Sequence, residues 1–393
     1  MTSAIIITIC VLVLIAYLFD ISAAKTKIPS VILLLVVGWS VKKMAQFLNI
    51  QVPDLAPILP ILGTIGLILI VLEGSLELEL NKSKLGVVKK SFVIALIPML
   101  VLGGLLAGAL VMSGEASFKT SLINVLPICI ISSAIAIPSV RNLSNKYREF
   151  ITYESSISDI IGVVLFNFFL FNTHIGLSSV LAFSAEFVLL IVISFVATAA
   201  LAFLLSKIKH HVKFIPIILL ILLIYNVAKV YHLSALVFIM IVGLFLGNLD
   251  ELKHNKYIQL LQPEILKNEI HKFTELVVES TFLIRSLFFL LFGFLIKTDD
   301  ILNTETLLWS VAIVAVILVI RAIQLYISKL PIFPLVFIAP RGLITVLLFL
   351  SIPASQQIQF VNSSLIIQII VISALVMMFG LLFYKPNHKV EAL

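Results

Sequence analysis

The chain is a succession of apolar runs, each about as long as a membrane is thick, and that pattern leaves few folds open. A helix needs roughly 20 predominantly apolar residues to cross the hydrocarbon layer. Thirteen such segments are read near 3–20, 28–46, 56–76, 91–113, 120–140, 150–172, 178–206, 213–230, 233–249, 274–296, 305–328, 332–353 and 364–384. Barrel strands would show shorter, alternating stretches instead. Composition agrees, with 61% of the 393 residues hydrophobic and 12% charged; soluble domains carry about 45–50% and about 25%. Two cysteines and almost no polar low-complexity sequence exclude a disulfide scaffold and a disordered chain. The expected fold is an all-α polytopic membrane protein of about 13 transmembrane helices, one transmembrane domain over residues 1–393.

The formal charge is +7, and the cations sit in short gaps between apolar runs rather than on a soluble face, which excludes a nucleic-acid binder. Nineteen of the 27 Lys and Arg fall in alternate loops, beginning after the first segment and ending with the C-terminus. Five fall in the opposite set, and Arg285, Arg321 and Arg341 lie inside segments. This bias places the N-terminus outside and the C-terminus in the cytoplasm, with an odd helix count. Ser22, Ala23 and Ala24 resemble a signal-peptide cleavage site. However, no cation precedes the first segment and Lys25 and Lys27 follow it, so an uncleaved helix is expected. The one long gap, 250–273, mixes Lys253, Lys256 and Glu264 with Ile258, Leu260 and Leu261. It reads as a cytoplasmic amphipathic linker between two halves, interrupted by Pro263.

An ionisable group at mid-bilayer costs roughly 2.5–3.5 kcal/mol on insertion scales, so each one is a functional candidate. Glu73, Glu186 and Glu279 read as helix-end residues, and Arg285 joins the same list. The sixth segment is richer. Thr152, Ser155, Ser156 and Asp159 fall at i, i+3, i+4 and i+7, one polar stripe of three hydroxyls and a carboxylate. Hard oxygen donors of this kind suit a dehydrated hard cation, and the competing reading is a polar interface between close-packed helices. Glu154 lies roughly 140° around the helix from Asp159 and shares its face with Ser158.

Two segments contain helix breakers: Ser132-Ser133-Ala134-Ile135-Ala136-Ile137-Pro138 in the fifth and Ile338-Ala339-Pro340-Arg341-Gly342 in the twelfth. Proline removes a backbone donor and clashes with the preceding turn. Interrupted segments at corresponding positions point to a transporter's binding site. Being seven helices apart, the two cross the membrane in opposite directions, as inverted repeats do.

The run Glu154-Ser155-x-x-Ser158-Asp159, followed by Gly162-Val163-Val164-Leu165-Phe166, resembles the Glu-Ser-x-x-Asn-Asp segment of monovalent cation:proton antiporters, the sodium/proton exchanger superfamily. The stretches from Leu62 to Leu78 and from Leu233 to Asn248, with Arg321-Ala322 and Arg341-Gly342, extend the resemblance over nearly the whole chain. It implies that Asp159 takes either a proton or a monovalent cation (Na⁺, Li⁺ or K⁺); the stripe residues Thr152, Ser155 and Ser156, with Ser133 and Ser158, are the candidate ligands around it. It implies a buried Glu154–Arg321 ion pair, broken helices crossing at Ala136, Ile137, Pro138, Pro340, Arg341 and Gly342, and a homodimer in a bacterial inner membrane without a cofactor. Two departures stand out: Ala136-Ile137 where the family often has Thr-Asp, and Ser158 where it has Asn.

On residues alone, other classes stay open. Arg341 would serve an ion-coupled symporter by binding the carboxylate of an organic anion, and a cation channel shares this architecture. An integral-membrane enzyme is disfavoured: the seven histidines, at 174, 210, 211, 232, 254, 271 and 388, lack a metal or catalytic spacing. Cys10 and Cys129 sit within apolar runs and read as packing residues.

Overall fold

A computed structural model describes residues 2–26, 28–50, 52, 54–78, 84–172, 184, 188, 191–201, 203, 214–230, 235–248 and 263–384. The described chain is helical, in the order α1 (Thr2–Thr26), α2 (Ser30–Phe47), α3 (Ile58–Glu77), α4 (Leu85–Met112), α5 (Phe118–Cys129), α6 (Ser133–Ser139), α7 (Asn145–Phe171), α8 (Ile191–Leu201), α9 (Phe214–Val230), α10 (Ala235–Gly247), α11 (Pro263–Leu295), α12 (Thr304–Ile327), α13 (Leu343–Ser351) and α14 (Ser363–Phe383). Among the described residues there are eight spans long and apolar enough to cross a membrane, with α5 and α6 counting as one, and four shorter apolar helices. Glu186 and most of the 250–273 gap lie outside the described residues, as do the segment parts 178–183 and 204–206.

Sequence explains where several helices begin. Ser117, Asn303 and Asn362 each offer a side-chain oxygen to a backbone N–H in the first turn of α5, α12 and α14, satisfying donors that an α-helix otherwise leaves open. From Pro263 onward the described chain is continuous helix, α11. Residues 263–273 therefore continue into a membrane span.

Helix α3 is the central post. Leu67 to Leu72 are buried without a break, since α10 and α11 pack on it and α7 approaches from a third side. Helices α2 and α11 touch backbone to backbone: a Cβ on Gly38 would strike the Leu290 carbonyl, and one on Gly293 the Leu35 carbonyl. Helix α4 lies across α5 and α7, while α12 pairs with α14. Outer faces of α1, α4 and α12 leave Leu14, Leu105, Met112 and Leu308 exposed, the apolar surface expected toward lipid.

The twelfth segment is not one helix. After α12 the chain makes a 3₁₀ turn at Leu335–Phe337, runs non-helically through residues 338–342 and resumes as α13. Between α5 and α6 it likewise leaves the helix over residues 130–132. These two interruptions meet in the interior.

Candidate ion-translocation site

The amide of Ser132 donates to the carbonyl of Pro340 at 2.9 Å, joining the two non-helical stretches directly. The amide of Ile131 donates to Ser158 Oγ of α7 at 3.0 Å. Helical hydrogen bonds are thus exchanged for tertiary ones, and this moves the first break away from the proline that the sequence singled out. Ala136 and Ile137 lie inside α6, and Pro138 lies near its end. The residues at the crossing are Ile130, Ile131 and Ser132, with Ser133 opening α6. Gly162 permits the approach, because a Cβ there would collide with the Ile130 side chain.

Asp159 faces this junction and is 1% exposed. Its Oδ2 accepts from the Ser133 amide at 3.3 Å and from the Ser133 hydroxyl. Among the described residues its Oδ1 is buried with no hydrogen-bond partner, and so are the hydroxyls of Ser132 and Ser156. Unpaired buried polar atoms are costly, and two of these, Asp159 Oδ1 and the Ser132 hydroxyl, belong to residues at the crossing.

The hydroxyl stripe has a different disposition from the one its spacing implies. Thr152 Oγ1 donates to the Arg148 carbonyl at 2.9 Å and Ser155 Oγ to the Ile151 carbonyl at 2.7 Å. Both donors are spent on their own helix, which leaves only lone pairs free. Ser156 Oγ abuts Gly74 of α3, and Ser158 is committed to the break. Ser132, by contrast, was not marked by periodicity. Its signal was the adjacent Ser-Ser pair in an otherwise apolar run.

One turn away, Glu154 and Arg321 form a bidentate pair, Nη1–Oε1 2.6 Å and Nη2–Oε2 2.9 Å. Glu154 is 0% exposed. Arg321 Nε adds a bond to the Leu335 carbonyl at 2.7 Å, so the pair ties α7 to α12 and to the 3₁₀ turn preceding the second break. Among the described residues, Arg341 has no acid among its hydrogen-bond acceptors. Its Nε donates to the Ile128 carbonyl and its Nη1 to the Ala339 carbonyl, while its amide donates to Ser373 Oγ. The guanidinium therefore neutralises the carbonyl end of α5, as the Asp159 carboxylate meets the amide end of α6, each charge at the helix end whose dipole it offsets. That arrangement leaves Arg341 poorly disposed to capture a substrate anion.

A cavity of about 700 Å³ opens on the side of the α3–α4 and α6–α7 connections. Its walls carry Glu73 and Glu77 of α3, Arg141, Arg148 and Glu149, and it reaches Ile137 and Thr152. Thr152 is seven residues from Asp159, about 10 Å along α7. Lys84 pairs with Glu149 at 2.8 Å and Arg141 with Asp20 of α1 at 2.9 Å. Glu73 is within electrostatic reach of the buried Arg285. Glu279 is exposed on α11. Among the described residues no three His, Cys, Asp or Glu side chains group as a metal site.

Residues 10–384 match the family model described as "Sodium/hydrogen exchanger, transmembrane". Comparison with curated protein sequences gives no match. Among solved structures the chain is similar to the sodium proton antiporter MjNhaP1 from Methanocaldococcus jannaschii at pH 8, with TM-score 0.65 and 19% identity over 96% of this chain and 95% of that one. A three-dimensional electron-microscopy map of the same antiporter gives TM-score 0.67 and 18% identity over 98% and 100% of the two chains.

Proposed function

Because the chain belongs to the sodium/hydrogen exchanger family, we propose that it exchanges a monovalent cation, Na⁺ or K⁺, for H⁺ by alternating access at Asp159. The observation that carries this reading is the carboxylate itself: buried, held on one oxygen by Ser133 and unpartnered on the other, where two helix interruptions cross. Desolvation disfavours an empty charged carboxylate, so the site moves readily only when neutralised by a proton or by a cation. The two ligands compete for one group and each yields a neutral site, so the cycle is one-for-one and electroneutral. Ser132 and Ser133 occupy the crossing where a second acid would permit extra protons.

The cation's oxygen shell is drawn from Asp159 Oδ1 and the Ser132 and Ser156 hydroxyls; Ser155 and Thr152, one and two turns along α7, lie on the way in from the cavity beside Glu73 and Glu77. Glu154 and Arg321 act as a scaffold, holding α7 in register with α12 while the crossing moves. Cation bias in the loops supports an outward N-terminus and a cytoplasmic cavity in a bacterial inner membrane, with a homodimer as the assembly.

In proteoliposomes with an imposed pH gradient and the voltage clamped at different values, Na⁺, Li⁺ or K⁺ should collapse the gradient saturably and at a voltage-independent rate. A gradient untouched by all three cations, or a rate that follows voltage, would contradict the proposal. Single-channel currents would replace it with a channel.

A further inference from the structure

A second cavity, about 320 Å³, lies far from the polar one, in the membrane half that holds the α4–α5 connection. It is a lateral groove. Its floor is Val125 and Ile128 of α5, both buried, and its sides are α4 and α12. The groove exists because small residues, Ala109 and Ala312, stand on the two sides, both exposed between larger neighbours such as Met112, Leu308 and Val311, which are exposed too. From Ser113 to Leu106 it follows seven residues of α4, about 10 Å at 1.5 Å per residue.

The ends of the groove differ. The inner end reaches Ile128, whose carbonyl accepts from Arg341 at the helix crossing. The outer end is rimmed by Ser113, Glu115 and an edge-to-face pair of Trp309 and Phe360, ring centroids 5.6 Å apart. Tryptophan is enriched where hydrocarbon meets headgroups. Glu115 supplies an anion at that level, and Lys119 lies four residues further along, in the first turn of α5. Glu115 on the rim of an apolar mouth complements the ammonium of a zwitterionic headgroup.

We propose that this groove binds one acyl chain of an amine-bearing zwitterionic phospholipid, phosphatidylethanolamine, with its headgroup at Glu115. A chain seated there lies against Val125 and Ile128, the last turn of α5 before its break. It therefore supports the helix end that Arg341 caps.

The test uses the purified, delipidated full chain with phosphatidylethanolamine or phosphatidylglycerol as probe, read by thermal unfolding and by native mass spectrometry. Phosphatidylethanolamine should raise the unfolding temperature progressively with concentration, as ligand linkage requires, and one lipid should remain bound per chain. Ala312→Phe fills the groove from its exposed side and should abolish both responses. Ala109→Phe fills it from α4 and serves if the first variant fails to fold. Glu115→Gln should erase the preference for ethanolamine over glycerol. An equal response to the two lipids in the parent chain, or full retention of the response in the folded groove-filling variant, would overturn the proposal.

Discussion

Replacing Glu154 by Gln tests whether its pairing with Arg321 holds the bundle together. Arg321 makes three hydrogen bonds, two to Glu154 and one to the Leu335 carbonyl. Glutamine keeps one acceptor of the right shape but neither the second acceptor nor the charge. Breaking a buried ion pair by removing one partner costs about 3–5 kcal/mol, because the surviving charge is left uncompensated. The retained acceptor places Glu154→Gln at the lower end, about 3 kcal/mol. Because the cost is a stranded guanidinium and not a lost shape, removing that guanidinium as well should recover part of it. The double variant Glu154→Gln/Arg321→Ala should therefore be more stable than Glu154→Gln alone, a non-additivity expected only of groups in contact. Thermal unfolding in detergent, followed by fluorescence-detected size exclusion, measures all three variants against the parent chain. If the double variant is less stable than Glu154→Gln by the full cost of Arg321→Ala, the two residues are energetically independent and the scaffold argument fails.

Other outcomes follow from the crossing. Ser133→Ala removes a hydroxyl bond to the charged form of Asp159, worth about 1.5–3 kcal/mol; the half-saturating cation concentration in the exchange assay should rise about tenfold or more. Gly162→Leu should abolish exchange by displacing Ile130 from α7, and wild-type rates in a folded variant would show that the Ile130 packing is dispensable. Arg341→Gln should strand the Ile128 carbonyl and lower both thermal stability and rate. Arg341→Lys, which keeps the charge, should restore more of each, and equal loss in the two variants would argue against a role in offsetting the α5 dipole.

The fold class was legible because lipid imposes one requirement, backbone satisfaction inside each span, and the sequence meets it with long apolar runs. The candidate carboxylate was legible for the same reason, since a charge in such a run is conspicuous. Side-chain destinations were not. Helical spacing put Thr152, Ser155 and Ser156 on one face with Asp159, but it could not say that two of those hydroxyls turn back to their own carbonyls. Pro138 drew attention to the wrong end of α6 because a proline is visible locally. The bonds that open the helix at Ile131 and Ser132 come from Ser158 and Pro340, which are distant in sequence. Arg341 likewise read as a free cation until its carbonyl partners on α5 and beside the second break were in view.

The central claim is that one buried carboxylate alternates between proton and cation. Asp159→Asn keeps the shape of the side chain and removes its charge. In everted vesicles, cation exchange driven by a pH gradient should vanish in this variant while the protein stays folded and membrane-inserted. Exchange at the parent rate would contradict the account.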